Sequence, residues 1–217
     1  MKIVEPDFER MSRCGIPEVI YGGGKSERQL IETAGKFIKK AGRVIVTKLD
    51  ADTAEALLGE FDGFDAAYSA EAGVLVVKRR GFKVRKAGCV GVMTAGTSDV
   101  GVAEEARIIL EELGCEAVAA YDVGVAGVHR IYPALKRMRG VGAIIAVAGM
   151  EGALPSVVSG LVDVPVIGVP TSVGYGVGAG GYAALNAMLS SCAPVAVVNI
   201  DNGYGAAVLA YQIVRAR

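Results

Sequence analysis

The chain has 217 residues, 52% of them hydrophobic, with 23 basic and 23 acidic side chains and a single histidine. That balance leaves no electrostatic footprint for nucleic acid or an anionic membrane, and four cysteines without C-x-x-C spacing argue against zinc and for reduced thiols in a cytoplasmic setting. No signal peptide or membrane span is expected: the start "MKIVEPDFER" is charged, and Gly or Pro breaks every apolar stretch well short of ~18 residues.

Charge and glycine divide the chain. Residues 1–86 carry 16 of the 23 basic groups, while the remainder holds 20 of the 30 glycines. In the first part, "PEVIY" predicts a strand, followed by a turn and a helix "SERQLIETAGKFIKK" capped by Ser26. The turn "YGGGKS" ends like a phosphate loop, but Val19 stands where the motif's first glycine is required, so that reading fails. "RVIVTK" and "GVLVVKRR" predict two more strands, making residues 1–86 a small α+β domain. The basic run "KRRGFKVRKAG" reads first as a solvated linker and second as a phosphate-steering patch.

Residues 87–217 alternate strand-like and helix-length segments. "CVGVMTAG", "CEAVAAYDVG", "GAIIAVAG", "PVIGVP" and "VAVVNI" are strand candidates, and near-continuous apolar runs between helices predict a doubly wound parallel α/β sheet. Ligands of such sheets bind beyond the carboxyl ends of the strands. The loops there are "TAGTSD" (Thr94, Gly96, Thr97, Ser98, Asp99), "YDVGVAGVHR" (Asp122, Gly127, His129, Arg130) and "AGMEGALP" (Gly149, Glu151, Gly152). "VPTSVGYG" (Pro170, Thr171, Ser172) and "NIDNG" (Asp201, Asn202, Gly203) complete the set. Glycines admit a phosphate to backbone N–H groups, and helix N-termini favour its charge, so a phosphorylated, nucleotide-like ligand is expected.

Cys192, in "SSCAP", falls outside that group. It follows a helix pattern and precedes the last strand, which puts it at the opposite edge of the sheet. Alone, this favours a small buried cysteine. A nucleophile remains the alternative if another subunit brings its loop-bearing edge to the thiol. The mean hydropathy of +0.42 is high for a soluble chain, and burial between subunits would account for it.

"AGTSDVGVAEEA", "GVAGVHRI", "AVAGMEGALPSVVSG" and "PVIGVPTS" resemble, in order and spacing, the signature segments of the aminoimidazole ribonucleotide carboxylases (PurE-like). "GIPEVIYGGGKS", "SSCAP" and "NIDNG" extend the likeness to the LarB proteins, carboxylase-hydrolases of nickel-pincer nucleotide cofactor synthesis. That resemblance implies a flavodoxin-like strand order and an octamer-like homo-oligomer. It also implies nicotinic acid adenine dinucleotide as substrate, CO2 or bicarbonate as co-substrate, and magnesium. The implied products are pyridinium-3,5-biscarboxylate mononucleotide and AMP.

The implied chemistry gives the thiol a task. A pyridinium carbon is too electron-poor to attack CO2, but thiolate addition at C4 or C6 makes a dihydropyridine whose C5 is nucleophilic. Loss of the C5 proton and of the thiolate then restores the aromatic ring. Cys192 is the expected nucleophile and Glu151, read as lying in the first turn of a helix, the expected base. Asp99 is expected to cap a helix in part, and to bind ribose or position the ring. His129 is expected at a phosphate or carboxylate or in a proton relay, and Arg130 at an anion. Ser191 joins the substrate-binding set, and Asp122 and Asp201 are candidate metal ligands or simply turn residues.

Overall fold

The computed structural model describes residues 5–216, which fall into two compact units, one ending at Lys83 and the other beginning at Val84. In the first unit, α1 (Arg10–Cys14), β1 (Ile20–Tyr21), α2 (Glu27–Ala41), β2 (Arg43–Thr47), α3 (Ala51–Glu60), β3 (Asp65–Ser69) and β4 (Val74–Lys78) follow in order. The four strands form one mixed sheet, ordered β1-β2-β4-β3, in which only β1 and β2 run parallel. The α2 start follows from its sequence: the Gln29 amide donates to Ser26 Oγ and the Ser26 amide donates back to Gln29 Oε1 at 3.0 Å, a capping box. Leu30, Ala34, Phe37 and Ile38 then bury one face of α2 among Val44, Val46, Leu57 and Leu75.

The "YGGGKS" segment is a tight turn. Gly22 donates to the Thr47 carbonyl at 2.7 Å, and a Cβ on Gly22 would stand only 2.9 Å from that oxygen. Beyond β4, Arg80, Lys83, Arg85 and Lys86 are exposed, as expected of a solvated run.

The second unit is a five-stranded sheet, all parallel. It contains β5 (Gly88–Thr94), α4 (Val100–Glu112), β6 (Cys115–Ala120), α5 (Ile131–Arg137) and β7 (Ala143–Ala148). It continues with α6 (Leu154–Ser159), β8 (Val166–Pro170), α7 (Tyr182–Leu189), β9 (Val195–Val197) and α8 (Gly203–Arg215). The strand order β6-β5-β7-β8-β9 is the flavodoxin-like order. Every residue of β7 and β8 is buried, because helices cover both faces. Ile131, Ala134, Leu154, Val158, Ala184 and Met188 bring α5, α6 and α7 onto one face, while α4 and α8 pack together on the other. The last strand is shorter than "VAVVNI" suggests: β9 is an edge strand of three residues, none of them buried.

Candidate active site

The carboxyl ends of β5 to β9 form a continuous rim, and a buried carboxylate ties three of its loops together. Asp99 is 4% exposed. Its Oδ2 accepts from the Gly96 amide at 2.9 Å, and its Oδ1 accepts from the Gly149 amide at 3.1 Å and the Thr171 hydroxyl at 2.7 Å. The expected capping is therefore partial: Asp99 Oδ2 closes the short 3-10 turn at 97–99 by accepting from its N-cap residue, Gly96, whereas at α4 Asp99 occupies the N-cap position without a side-chain cap bond, because Oδ1 turns inward to donors on the loops after β7 and β8. Thr171 and Gly149 are buried with it, so these three residues shape the rim from beneath.

Gly149 has no alternative. A Cβ there would meet the Val173 carbonyl oxygen at 2.3 Å and Thr171 Oγ1 at 2.6 Å. Gly152 and Gly203, expected at the substrate, are buried packing glycines: their Cβ atoms would strike the Ala184 backbone at 2.8 Å and the Val102 carbonyl at 2.3 Å. Three residues just past strand ends, Asp122, Met150 and Asp201, hold left-handed φ values of 55°, 52° and 55°. Aspartate tolerates this conformation, whereas Met150 adopts it at a cost of about 1–2 kcal/mol.

Beside Asp99, the loop after β6 places Arg130 against Asp122, with Nη1 donating to Oδ2 at 2.7 Å. The Asp122 amide donates to Thr94 Oγ1 at 3.0 Å. Asp201 Oδ1 accepts from the Ser172 amide at 2.8 Å, and Asn202 caps α8 by accepting from the Gly205 amide at 2.8 Å. Pro170 is buried at the end of β8, whereas Thr97, Ser98, Ser172 and His129 are exposed. Among the described residues no cluster of three His, Cys, Asp or Glu could hold a metal ion. Of the two candidate metal ligands, Asp122 is paired with the Arg130 guanidinium and Asp201 accepts from the Ser172 amide.

Glu151 also departs from expectation. It lies in a turn three residues ahead of α6, whose first turn contains no acid, so complementing a helix dipole does not account for it. Its carboxylate is exposed and has no hydrogen-bond or ion-pair partner among the described residues. Cys192 is exposed too, which overturns the small buried cysteine. It sits at the tip of a turn closed by the Ala193 amide on Ser191 Oγ at 3.1 Å and braced by Ser159 Oγ donating to the Pro194 carbonyl at 2.8 Å. Ser191 thus shapes the thiol's turn. As the topology requires, that turn lies at the amino end of β9, away from the rim that gathers Asp99, Arg130 and Glu151.

One cluster escaped the sequence analysis. The Tyr121 hydroxyl donates to Glu104 Oε1, while Arg107 grips both oxygens of Glu104 at 2.8 Å and Glu111 Oε1 at 2.5 Å. Acid, base and acid at 104, 107 and 111, spaced three and four along a helix, is the signal that could have revealed it.

A flavodoxin-like sheet with a glycine-lined rim at the carboxyl ends of its strands defines an α/β protein of the doubly wound class. Residues 89–217 match the AIR carboxylase family and residues 1–80 match the LarB/PurE-like N-terminal domain. A protein of Methanocaldococcus jannaschii described as uncharacterized is 48% identical over 96% of this chain and 83% of its own. The N5-carboxyaminoimidazole ribonucleotide mutases of Pyrococcus horikoshii and Thermotoga maritima are 36% and 33% identical, each over 57% of this chain and over 71% and 73% of their own. The chain belongs to the AIR carboxylase family, in its LarB-type form, and is an enzyme of the carboxylase/mutase kind. No helix among the described residues is long and apolar enough to cross a membrane.

Proposed function

We propose that the enzyme carboxylates C5 of the pyridinium ring of nicotinic acid adenine dinucleotide, taking CO2 or bicarbonate, and hydrolyses the phosphoanhydride to release AMP and pyridinium-3,5-biscarboxylate mononucleotide. The observation that carries this is the exposed thiol of Cys192 in a chain with a LarB-type N-terminal domain. An aminoimidazole is electron-rich and attacks carboxyl carbon unaided. A pyridinium needs a nucleophile added first, and a thiolate supplies it.

In this reading Cys192 Sγ bonds to C4 or C6, C5 attacks CO2, and the unpartnered Glu151 carboxylate takes the C5 proton. Expulsion of the thiolate then regenerates both ring and catalyst. Arg130 and the glycine-lined loops would carry the phosphates, with His129 close by on the same loop. Any magnesium would enter on the dinucleotide's own phosphate oxygens.

The thiol and the rim stand at opposite ends of their strands, on the order of 20 Å apart at ~3.3 Å per residue, too far to serve one ring. We therefore assign the site to two copies: one brings Cys192, and its neighbour brings the loops bearing Asp99, Arg130 and Glu151. Tyr175, Val177, Tyr182 and Leu189, 77%, 94%, 69% and 65% exposed, supply the apolar surface that a homo-oligomer, octameric by family likeness, would bury.

The test offers purified enzyme the dinucleotide with bicarbonate and magnesium, and separately the carboxyaminoimidazole substrate of the mutases, and reads product mass. AMP with a doubly carboxylated mononucleotide is expected. Turnover of the imidazole alone would replace this reading with that of a purine-pathway mutase.

A further inference from the structure

The loop that carries Arg130 springs from a strand whose backbone is hydrogen-bonded on one side only. β6 is an edge of the sheet, hydrogen-bonded to β5 and to no other strand. At its carboxyl end the backbone is pinned to that single neighbour: the Asp122 amide donates to Thr94 Oγ1 at 3.0 Å and the Val123 amide to the Thr94 carbonyl at 2.9 Å. The side chain of Tyr121 provides the missing second anchor. Its hydroxyl reaches Glu104 on α4, whose two carboxylate oxygens Arg107 holds through Nε and Nη2, and Arg107 is itself held by Glu111.

We propose that Tyr121 is a positioning residue: through the Glu104–Arg107 pair it fixes the end of β6, and so sets the Asp122–Arg130 pair in the geometry that receives a phosphate-bearing ligand. This rests on Arg130 as the anion-binding group of the proposed function. The loop transmits position because it has no slack. A Cβ on Gly124 would lie 2.6 Å from the Ala95 carbonyl, and one on Gly127 would lie 2.6 Å from Arg130 Nε, so the guanidinium lies directly over a bare Cα. A shift at residue 121 must therefore move Asp122, and with it the guanidinium bonded to Oδ2.

The protonation states suit the task. Burial, then the bond to Glu104, pushes the Tyr121 phenol well above its ordinary range, so it stays a donor. The Arg107 hydrogen bond holds the Glu104 carboxyl below the usual carboxylate range, so it stays an acceptor.

The test compares wild type with Tyr121→Phe, which deletes one oxygen, and Glu104→Gln, in the full chain. Two measurements serve: hydrogen exchange by mass spectrometry without ligand, and affinity for AMP by calorimetry. We expect faster exchange across 121–130 with no change across 143–148, and AMP binding weakened about tenfold. In an Arg130→Gln background, Tyr121→Phe should add less than twofold, because both changes disable one device. Unchanged exchange across 121–130, or AMP effects that simply multiply in the double variant, would overturn the proposal. Neither measurement uses turnover, so failure of the wild type to carboxylate the dinucleotide would count against the proposed function alone.

Discussion

Four thiols in one chain have different reactivity for physical reasons. Burial pushes Cys115 up to about 11, and also raises Cys89, whereas Cys14 and Cys192 are exposed. Because the thiolate is the attacking species, iodoacetamide at neutral pH should label Cys192 and Cys14 first and leave Cys115 untouched in the native protein, as peptide mass mapping would show. Cys192→Ser should preserve folding and nucleotide binding yet abolish carboxylation, since an alkoxide is scarce at neutral pH; near-normal turnover in that variant would exclude covalent catalysis. Glu151→Gln keeps shape while removing basicity. Turnover should fall by about 10² or more, and intact-protein mass should reveal a ring adduct on Cys192. An unchanged rate would leave Glu151 as a surface turn residue.

Between elements, one tie is concealed by sequence spacing. Asp99 joins donors 50 and 72 residues further along the chain, a contact that depends on β5, β7 and β8 being neighbours. Asp99→Asn would keep one oxygen for Gly149 and Thr171 but turn an amide N–H2 toward the Gly96 N–H, and leaving that partly buried donor unmet should cost about 1 kcal/mol. A lower urea midpoint, with faster exchange in the loops after all three strands, is the expected signature. The parallel sheet itself was legible because its central strands are buried on both faces and therefore read as unbroken apolar runs. The rim loops were legible through their glycines. By contrast β3, "DAAYS", is an exposed edge with no β-branched run, and α3 buries only Ala54 and Leu57, so neither carries a strong period. The state of Cys192 was illegible for a related reason: it depends on a surface turn beside a three-residue edge strand, where nothing in the local pattern fixes burial.

For the assembly, the proposed two-copy site makes a prediction that no single chain can satisfy. Inactive Cys192→Ala protein mixed with inactive Arg130→Ala protein, under conditions that exchange subunits, should regain part of the activity, because some interfaces then pair an intact thiol with an intact rim. If native mass spectrometry confirms exchange while activity stays at zero, the two-copy site fails. The distance between the amino end of β9 and the opposite rim has a thermodynamic corollary. A molecule gripped by one protomer's loops and a neighbour's thiol favours the joined state over the separate chains, so by mass action binding and assembly must reinforce each other. Dilution should then lower the specific activity, and added dinucleotide should restore it by drawing dissociated chains back together.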